Sequence, residues 1–335
     1  MKKIFIFITF VLLVIFITSG CSGKQKEIAH LGVAVEFTDH AASAYIALDK
    51  GYFAGAGLNL SAYESYVTGT ALAAALARGD IQAAYICLAP AISAYANAGV
   101  PLKIVAGTHK YGYGLAVNPE KIKVVQDLEK PGIRIGCVEA GSAADIMLQK
   151  IIDEFGLNRE QVTKNLQRMN PPKQILAIKT GKLDAALMPE HWATMAENAG
   201  FTMLLTARDI WPGMQGSVLI VKEELIKNHP EVVRKLVEVS QKATNWTNKN
   251  PLEASRIMAS QMQTMSEQVF PTDVAETAKQ LEITSETMQH SMGRLEYTTS
   301  IDPTMIQETI DYMAYLGYIK TGFKAENILD LRFLK

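Results

Sequence analysis

The hydrophobic positions in the first two thirds of the chain fall into short apolar runs separated by segments of helical periodicity. Runs typical of strands occupy positions 29–37, 58–63, 81–88 and 102–106. Gly51, Gly79 and Gly99 follow the intervening helical segments, at positions typical of helix ends. This alternation predicts βαβ units and hence a sheet with parallel strands.

A second set of the same kind follows, and the character of the chain then changes. Further strand-like runs occupy positions 114–118, 133–138, 183–188, 201–205 and 217–221. Later helical patterns cover positions 231–249, 252–262, 272–292 and 303–316. We therefore expect an α/β protein of two lobes with a helical C-terminal tail.

The two sets of elements also predict where the lobes divide. The chain is expected to cross between them near Tyr113 and to return near Ser217, which assigns 28–112 and 218–335 to lobe 1 and 113–217 to lobe 2. Ligands of open α/β sheets bind beyond the carboxyl ends of the strands. The cleft between the lobes is therefore the expected binding site.

The N-terminal segment has the pattern of a secretory signal. Lysines precede a stretch from Ile4 to Ile17 in which only Thr9 is not strongly apolar. A membrane-spanning helix needs about 20 apolar residues, so this stretch is too short to be one. We expect residues 1–20 to be a signal peptide and residues 21–27 to be a polar tether.

Small residues followed by Cys21 end this signal segment and resemble a bacterial lipoprotein box. We therefore expect cleavage before Cys21 and diacylation at this residue, because two acyl chains suffice for stable membrane anchoring. The alternative is an ordinary signal peptide with an incidental cysteine.

Composition and charge exclude several classes of protein. The chain has 335 residues, 48% of them hydrophobic, with 33 basic and 34 acidic side chains. Without a basic run it lacks the clustered cations that nucleic acids require, and its apolar content excludes disorder.

The remaining cysteines do not form a recognisable metal motif. Cys87 and Cys137 lie in apolar, strand-like runs and are expected to be buried free thiols, although a disulfide between them stays open. The sequence contains neither Cys-x-x-Cys nor His-Glu-x-x-His. We therefore expect no metal site and no cofactor.

Several stretches, taken in order, resemble one family of binding proteins. They are AYIALDKGYF (44–53) with GLNL (57–60), GDIQAA (79–84) with APA (89–91), GIRIG (132–136) with GS (141–142), KTGKLDAA (179–186), and the closing LGYI (316–319) and LDLRFL (329–334). The chain resembles the NMT1/SsuA-like family of ABC importer solute-binding proteins, whose ligands are nitrate, sulfonates, taurine or thiamine-pyrimidine precursors. The resemblance covers residues 28 to 335.

The resemblance implies a periplasmic-binding-protein fold of the second type, which closes on its ligand like a hinged clamp. It implies a small-molecule ligand, a membrane permease driven by a separate ATPase as partner, and no catalytic chemistry. The protein is then expected to be a monomer, extracytoplasmic and anchored to the membrane through its lipid.

Candidate ligand residues lie where strands end or helices begin. Asp39 and His40 directly follow the first strand, where the family places ligand contacts, although Asp39 could instead cap the next helix. The N–H groups of Thr68, Gly69 and Thr70 could hold a polar or anionic group at a helix start. A plain N-cap at Thr68 is the alternative, and the two roles are compatible.

The second lobe and the Pro-containing segment add further candidates. Gly141 and Ser142 have the same helix-start geometry, where the family commonly binds the polar head of its ligand, although a capping box with Asp145 would partly occupy Ser142. Glu190 follows a strand at the position of the family's Trp-Glu-Pro motif and is expected to face the ligand. Ala89 belongs to the family's Pro-containing segment.

Aromatic residues lie near the two predicted crossings. Tyr111, Tyr113 and Trp211 could stack on a ring-bearing ligand, or pack between the lobes. Glu139 is expected to be exposed or ligand-facing.

The charges expected around the cleft are mainly acidic. The carboxylates are those of Glu36, Asp39, Glu64, Glu139 and Glu190, and the nearest basic groups are His40, His109 and Lys110. This balance favours a neutral or cationic nitrogen heterocycle over a bare sulfonate or nitrate.

Two other functions are compatible with the same fold. A surface receptor that delivers its ligand to a sensor would have the same sequence features, and a neighbouring permease and ATPase in the genome would distinguish it. A pyrimidine-precursor synthase is disfavoured, because those enzymes carry a cysteine-rich run and lack a signal peptide.

Overall fold

The computed structural model describes residues 31–79, 81–270 and 283–334. The predicted signal peptide, the tether and the lipidation site Cys21 lie outside these residues. Among the helices that are described, none is both long and apolar enough to cross a membrane.

The strands are short and mostly buried. They are β1 (Leu31–Glu36), β2 (Leu60–Tyr66), β3 (Ala83–Cys87), β4 (Leu102–Lys110), β5 (Tyr113–Val117), β6 (Ile135–Cys137), β7 (Leu166–Arg168), β8 (Ala185–Pro189), β9 (Thr202–Thr206), β10 (Gln215–Lys222) and β11 (Glu296–Tyr297).

The helices alternate with the strands and then dominate the last third of the chain. They are α1 (Ala42–Asp49), α2 (Tyr52–Gly55), α3 (Gly69–Arg78), α4 (Leu88–Ala96), α5 (Ala143–Glu154), α6 (Arg159–Lys164), α7 (Pro171–Lys179), α8 (Glu190–Asn198), α9 (Ala207–Ile210), α10 (Glu223–Asn228), α11 (Pro230–Lys249), α12 (Pro251–Val269), α13 (Ser285–Met292) and α14 (Pro303–Tyr315). Short 3-10 turns cover Asp39–Ala41, Val125–Glu129, Ala325–Asn327 and Leu331–Phe333.

The strands form two separate sheets. The first has the order β11-β4-β10-β3-β1-β2, in which β1 runs parallel to β2 and β3 while β10 runs antiparallel to β3 and β4. The second has the order β7-β6-β8-β5-β9, in which β6 is parallel to both of its neighbours and β5 is antiparallel to both of its own. The carboxyl ends of the parallel strands provide the edges at which ligands of such sheets bind.

The chain passes between the sheets twice, and the two crossings touch each other. The first crossing runs through Tyr111 and Gly112, and the second enters β10, with the Tyr111 N–H donating to the Met214 carbonyl at 3.1 Å. Gly112 has φ +90°, and a Cβ there would lie 2.7 Å from both His109 Cε1 and His40 Nε2. A Cβ at Gly216 would lie 2.5 Å from the Tyr111 carbonyl oxygen. Glycine is therefore required where the crossings pack against each other.

Two helices that begin at the space between the sheets are started by side chains of the neighbouring sequence. The Thr68 hydroxyl accepts from Ala71 N–H and caps α3, and Gly79 ends this helix in the left-handed conformation. Ser142 caps α5 by accepting from Asp145 N–H at 3.2 Å. Such caps stabilise a helix by about 1 kcal/mol each. They fix the position at which each helix begins.

The core supports both sheets. Its largest fully buried side chains include those of Trp192, Tyr45, Tyr85, Tyr113 and Phe37. Burying a large apolar side chain stabilises the fold by about 1.5–3 kcal/mol. Because Tyr113 and Trp192 belong to the second-sheet part and the others to the first-sheet part, the packed interior extends beneath the cleft from both sides.

Candidate functional site

A cavity lies between the two sheets, at the end of β1 and at the starts of five helices. Its volume is about 30 Å³. It is lined by Glu36, Thr38, Val67, Thr68, Gly69, Thr70, Cys87, Pro90, Tyr113, Val138, Ser142, Ala143, Ala144, Pro171, Pro189 and Trp192. The helices α3, α4, α5, α7 and α8 all begin at or next to lining residues. Residues from the regions of both sheets thus surround a small space rich in helix N-termini.

A larger depression of about 620 Å³ lies elsewhere, on the outside of the first lobe. Its lining includes Lys103, Glu223, Arg332 and Asp330, and these form the ion pairs Lys103–Glu223 and Arg332–Asp330. Two further cations, Lys227 and Arg234, also line this depression. It lies at the start of β4 and the end of the antiparallel β10, away from the carboxyl ends of the parallel strands, so the smaller cavity between the sheets is the better candidate site.

The helix starts present backbone donors to the cavity. In α3 the first N–H that bonds within the helix is that of Leu72, to the Thr68 carbonyl, and in α5 it is that of Ile146, to the Ser142 carbonyl. The preceding N–H groups at 69–70 and 143–144 have no intrahelical acceptor, as at every helix start. They carry the partial positive charge of the helix dipole and suit oxygen acceptors.

Trp192 adds a side-chain donor. This residue is 0% exposed and lines the cavity, and its ring lies 6.2 Å from that of Phe37 and 4.6 Å from that of His191. Within the described residues its indole N–H has no hydrogen-bond partner. An unpaired buried donor costs about 1–3 kcal/mol, so an acceptor atom in the cavity would stabilise the protein.

Glu36 is the acidic side chain at the floor of the cavity. Its Oε1 accepts from Cys87 N–H at 2.7 Å, and its Oε2 accepts from the Cys87 thiol at 2.8 Å. Burial raises the pKa of Glu36 to about 7, although both bonds from Cys87 lower it. This carboxyl therefore holds its proton to a much higher pH than an exposed glutamate does.

The neighbours of Glu36 are uncharged at neutral pH. Burial lowers the pKa of His40 to about 4, against the opposing effects of Asp39 and the Gly112 carbonyl. Burial also raises the pKa of the Cys87 thiol well above its usual value, and the charge of Glu36 raises it further. Because the Gly112 carbonyl can only accept, His40 Nε2 carries the proton in their 2.6 Å bond, and Nδ1 is left as an acceptor.

Ion pairs join the two lobes around this cavity. His191 Nδ1 lies 3.3 Å from Asp39 Oδ1, without hydrogen-bond alignment. Burial raises the pKa of Asp39, but His191, His40 and Ser291 together lower it by more, and the net pKa is lowered. The Tyr318 hydroxyl donates to Asp145 across the opposite side of the cleft.

The structure brings part of the predicted ligand set together. Five of these residues line the cavity, namely Thr68, Gly69, Thr70, Tyr113 and Ser142. The predicted N-caps at Thr68 and Ser142 are present as well, so both residues combine a capping contact with a position on the cavity.

Four other predicted residues lie close to the cavity but outside its lining. Asp39 and His40 are buried behind it, on His191 and the Gly112 carbonyl. Ala89 is buried in α4, and Gly141 lies beside the Tyr318 ring.

The remaining predicted residues have partners elsewhere. The Glu190 carboxylate accepts from Arg294 at 3.0 Å instead of facing the cavity. The Arg208 guanidinium lies over the Tyr111 ring at 4.0 Å, and Trp211 packs against Tyr312. Glu139 is exposed.

The acidic cleft expected from the sequence is therefore reduced to one carboxyl. Among the five carboxylates named above, only Glu36 lines the cavity. Asp39 and Glu190 pair with His191 and Arg294, and Glu64 accepts from the Tyr66 hydroxyl. The argument for a cationic ligand loses its basis, because four of the five carboxylates lie outside the lining, and Asp39 and Glu190 contact residues that are distant in sequence.

Sequence reasoning missed Cys87 and Trp192 as lining residues. Cys87 was expected only as a buried thiol, and it is buried and free. One signal was available. Cys87 ends β3, which pairs in parallel with β1, and Glu36 ends β1, so the two residues lie at the same edge of the sheet. For Trp192 the sequence offers no signal that separates a cavity wall from core packing.

Comparison with solved structures identifies the fold. The alkanesulfonate-binding protein of Xanthomonas axonopodis pv. citri bound to MOPS superposes with a TM-score of 0.74 at 15% identity, covering 91% of this chain and 99% of that chain. The periplasmic nitrate-binding protein of Synechocystis PCC 6803 gives 0.71 at 15% identity, covering 92% and 87%. The ligand-binding component of an ABC-type import system from Staphylococcus aureus, with zinc bound, gives 0.71 at 16% identity, covering 90% and 97%.

These likenesses confirm the predicted fold, an α/β periplasmic-binding-protein architecture of two sheets with a helical C-terminal region. Each of the three proteins is named for binding a solute, and none for a reaction.

The relatives found by sequence are matched over only part of their own length. A nitrate import ATP-binding protein of Synechocystis sp. is 24% identical over 244 residues, which are 68% of this chain and 36% of that protein. A putative binding protein of Brucella abortus is 26% identical over 218 residues, 64% of this chain and 65% of that protein. The match thus spans about a third of the first relative and just under two thirds of the second.

The model of the NMT1-like family matches residues 23–263, which is more than half of the chain. This family was also indicated by the motifs between residues 44 and 186. The protein belongs to the NMT1-like family.

Proposed function

We propose that this protein is the extracytoplasmic solute-binding lipoprotein of an ABC importer. It captures a small organic nutrient of the sulfonate, nitrate, taurine or pyrimidine class by closure of two lobes, 28–112 with 218–335 and 113–217. It then delivers the ligand to a permease driven by an ATPase. It acts as a monomer that is attached to the membrane through Cys21.

The observation that carries this proposal is the set of donors around the closed cavity. The α3 and α5 starts face it from different lobes, and the buried Trp192 N–H has no partner among the described residues. A ligand that bonds to both lobes is more stable in the closed arrangement and so drives closure. This is the arrangement expected of a protein that holds and releases a solute.

The same donors favour a ligand whose head is rich in oxygen acceptors, such as a sulfonate. Helix N-termini bind anions through backbone N–H groups without a basic side chain. The lining includes one carboxyl, that of Glu36, whose raised pKa allows it to be protonated and to donate as well. A primary amine would find a single carboxyl there as its counter-charge.

The test is calorimetry of the purified protein with taurine-type sulfonates and a pyrimidine-type amine, after native mass spectrometry of co-purified molecules. We expect a sulfonate to bind and Trp192→Phe to weaken its binding about 10-fold or more, since a bond to a charged acceptor contributes about 1.5–3 kcal/mol. Trp211→Phe is the matched control, because Trp211 packs on Tyr312 and does not line the cavity. Equal losses in both variants would contradict the assignment of the cavity.

A further inference from the structure

Three side chains with different metal-ligand atoms converge at the floor of the cavity. Glu36 offers a carboxylate oxygen, His40 an imidazole nitrogen and Cys87 a sulfur, and these atoms lie within 4.8 Å of one another. All three residues are buried. They come from the end of β1, the turn after it and the end of the neighbouring strand β3.

The imidazole is already oriented as a metal ligand. His40 Nε2 donates to the Gly112 carbonyl at 2.6 Å, which fixes the ring and leaves the Nδ1 lone pair directed towards Cys87 Sγ, 3.5 Å away. A backbone carbonyl on the far nitrogen is the usual outer partner of a metal-bound histidine. In a tetrahedral zinc site the sulfur and nitrogen ligands are about 3.5 Å apart, which agrees with the observed separation.

The thiol proton lies between Cys87 Sγ and Glu36 Oε2, and a metal ion bound by both residues would replace it. Cys87 donates it to Glu36 Oε2 at 2.8 Å, whereas sulfur and oxygen ligands of one zinc ion lie about 3.6 Å apart. Loss of this proton and an outward shift of the carboxyl by under about 1 Å would complete the site. The shift has room because the Glu36 carboxyl borders the cavity, and the charge of the bound metal ion itself drives the loss of the thiol proton.

We propose that Glu36, His40 and Cys87 form a binding site for Zn²⁺ at the floor of the cavity. A sulfur, a nitrogen and an oxygen together suit a borderline cation such as zinc rather than magnesium or calcium. Three protein ligands leave a fourth position, and Glu36 and Cys87 both line the cavity, so this position is open to a water or to an acceptor atom of the solute.

The effect of this metal on solute binding rests on the proposed function, because the metal and the solute would share one cavity. An acceptor atom of the solute would then bind the metal directly, with the helix N–H groups and Trp192 around the rest of its head. Metal binding itself is measurable with the metal alone.

The experiment uses Co²⁺ as a spectroscopic substitute for Zn²⁺ in the full-length Cys137→Ser protein. Cys137 is buried and free, and its removal leaves Cys87 as the free cysteine that the structure describes. We expect a thiolate-to-cobalt absorption band that Zn²⁺ abolishes by competition. The band should be lost in Cys87→Ser and present in the wild type.

A second variant keeps the proposal testable if Cys87→Ser does not fold. His40→Gln retains the thiol, and we expect it to weaken Zn²⁺ binding by about 100-fold or more, beyond the 10- to 100-fold effect of an outer-shell change. Folded Cys137→Ser protein without a thiolate band would overturn the metal site. If that protein still bound a sulfonate, the proposed function would stand without the metal. A thiolate band with no solute binding would support the metal site and contradict the proposed function.

Discussion

Arg294 Nη1 lies 3.0 Å from Oε1 of the buried Glu190 and so connects the segment before β11 to the start of α8. The same guanidinium donates to both carboxylate oxygens of Glu197, about two turns further along α8. One cation from the C-terminal part of the chain thus pairs with two carboxylates of α8. This contact directs the Glu190 carboxylate towards Arg294 and away from the cavity.

Replacing Arg294 by Met is expected to destabilise the protein by about 2 kcal/mol at pH 8. The change leaves Glu190 buried without a counter-ion, which costs 3–5 kcal/mol in fully buried pairs and less here because Arg294 is partly exposed. Burial raises the pKa of Glu190 to about 7 although Arg294 lowers it, so the cost should shrink below pH 7 as the carboxyl becomes protonated.

Urea unfolding at pH 6 and pH 8 measures this effect. Arg332→Met is the control, since its exposed pair with Asp330 is worth under about 1 kcal/mol. The double variant Glu190→Gln/Arg294→Met should recover part of the loss. A cost that is the same at both pH values would contradict the assignment.

Glu36 predicts how stability depends on pH. Its pKa is about 7 in the folded protein, against 4.5 without burial. Between these values the folded state holds a proton that the unfolded state has released, so stability falls as the pH rises from about 4.5 through 7. The loss amounts to up to about 3 kcal/mol, at 1.36 kcal/mol for each pKa unit.

Glu36→Gln is neutral at every pH and should remove this part of the decline. Glu190 contributes a similar decline, since burial raises its pKa to about 7 as well. His40 and His109, whose pKa values burial lowers, act in the opposite sense up to about pH 6.5, so the comparison is between the variant and the wild type at each pH. Asp39, whose pKa is lowered, acts in the opposite sense at more acidic pH and does not affect this window. Denaturant titrations at pH 5, 6, 7 and 8 provide the comparison, and unchanged slopes would exclude Glu36 as the source.

Gly112→Ala should destabilise the protein by more than the strain of its backbone alone. A non-glycine residue at positive φ costs about 1–2 kcal/mol, and the added Cβ would also meet the rings of His40 and His109 at 2.7 Å. Overpacking of this kind costs about 1–3 kcal/mol more. Because His40 is displaced, Zn²⁺ binding should weaken as well.

Gly200→Ala separates the two contributions. Gly200 has φ +93°, close to that of Gly112, and a Cβ there would meet nothing within 4 Å. We expect only the strain of about 1–2 kcal/mol in thermal or urea unfolding. Equal destabilisation by the two variants would contradict this prediction, because the His40 and His109 rings would then move aside for the new methyl group at no added cost.

Cys21→Ala tests the lipid anchor. Diacylation of Cys21 provides two acyl chains, which suffice for stable membrane attachment, and the variant provides none. We expect the variant in the soluble extracytoplasmic fraction and the wild type with membranes. Cys137→Ser should fractionate like the wild type, and membrane association of Cys21→Ala would contradict the lipoprotein assignment.

Local patterns in the sequence predicted much of the fold. The apolar run at 29–37 contains β1, and the run at 81–88 contains β3. The helix pattern at 231–249 corresponds to α11, which begins at Pro230. By contrast, β11 has two residues and is defined by its pairing with β4 alone. No periodicity exists in so short a segment, so only tertiary contacts reveal it.

The candidate site also contains residues that local sequence predicts and residues that it does not. Thr68 and Ser142 were predictable, because an N-cap is set by residues three positions apart. Glu190 was not, since Arg294 lies 104 positions away and nothing in the sequence connects them. The charge of a cleft is therefore mispredicted from the sequence wherever a carboxylate has a counter-ion that lies far away along the chain.

If the lobes close as proposed above, the contact between the two crossings determines which parts of the cavity move. Rotation displaces an atom in proportion to its distance from the axis, and the axis of a hinge runs through its connecting segments. The His109 ring packs against Gly112 and Gly216 on these segments, the His40 ring lies 4.3 Å from it, and Cys87 lies 3.5 Å beyond His40. In the proposed closure the carboxyl, imidazole and thiol would thus form a floor that stays in place near the axis, whereas the starts of α3 and α5 would move with opposite lobes. A solute can therefore be held first at the floor and be enclosed afterwards.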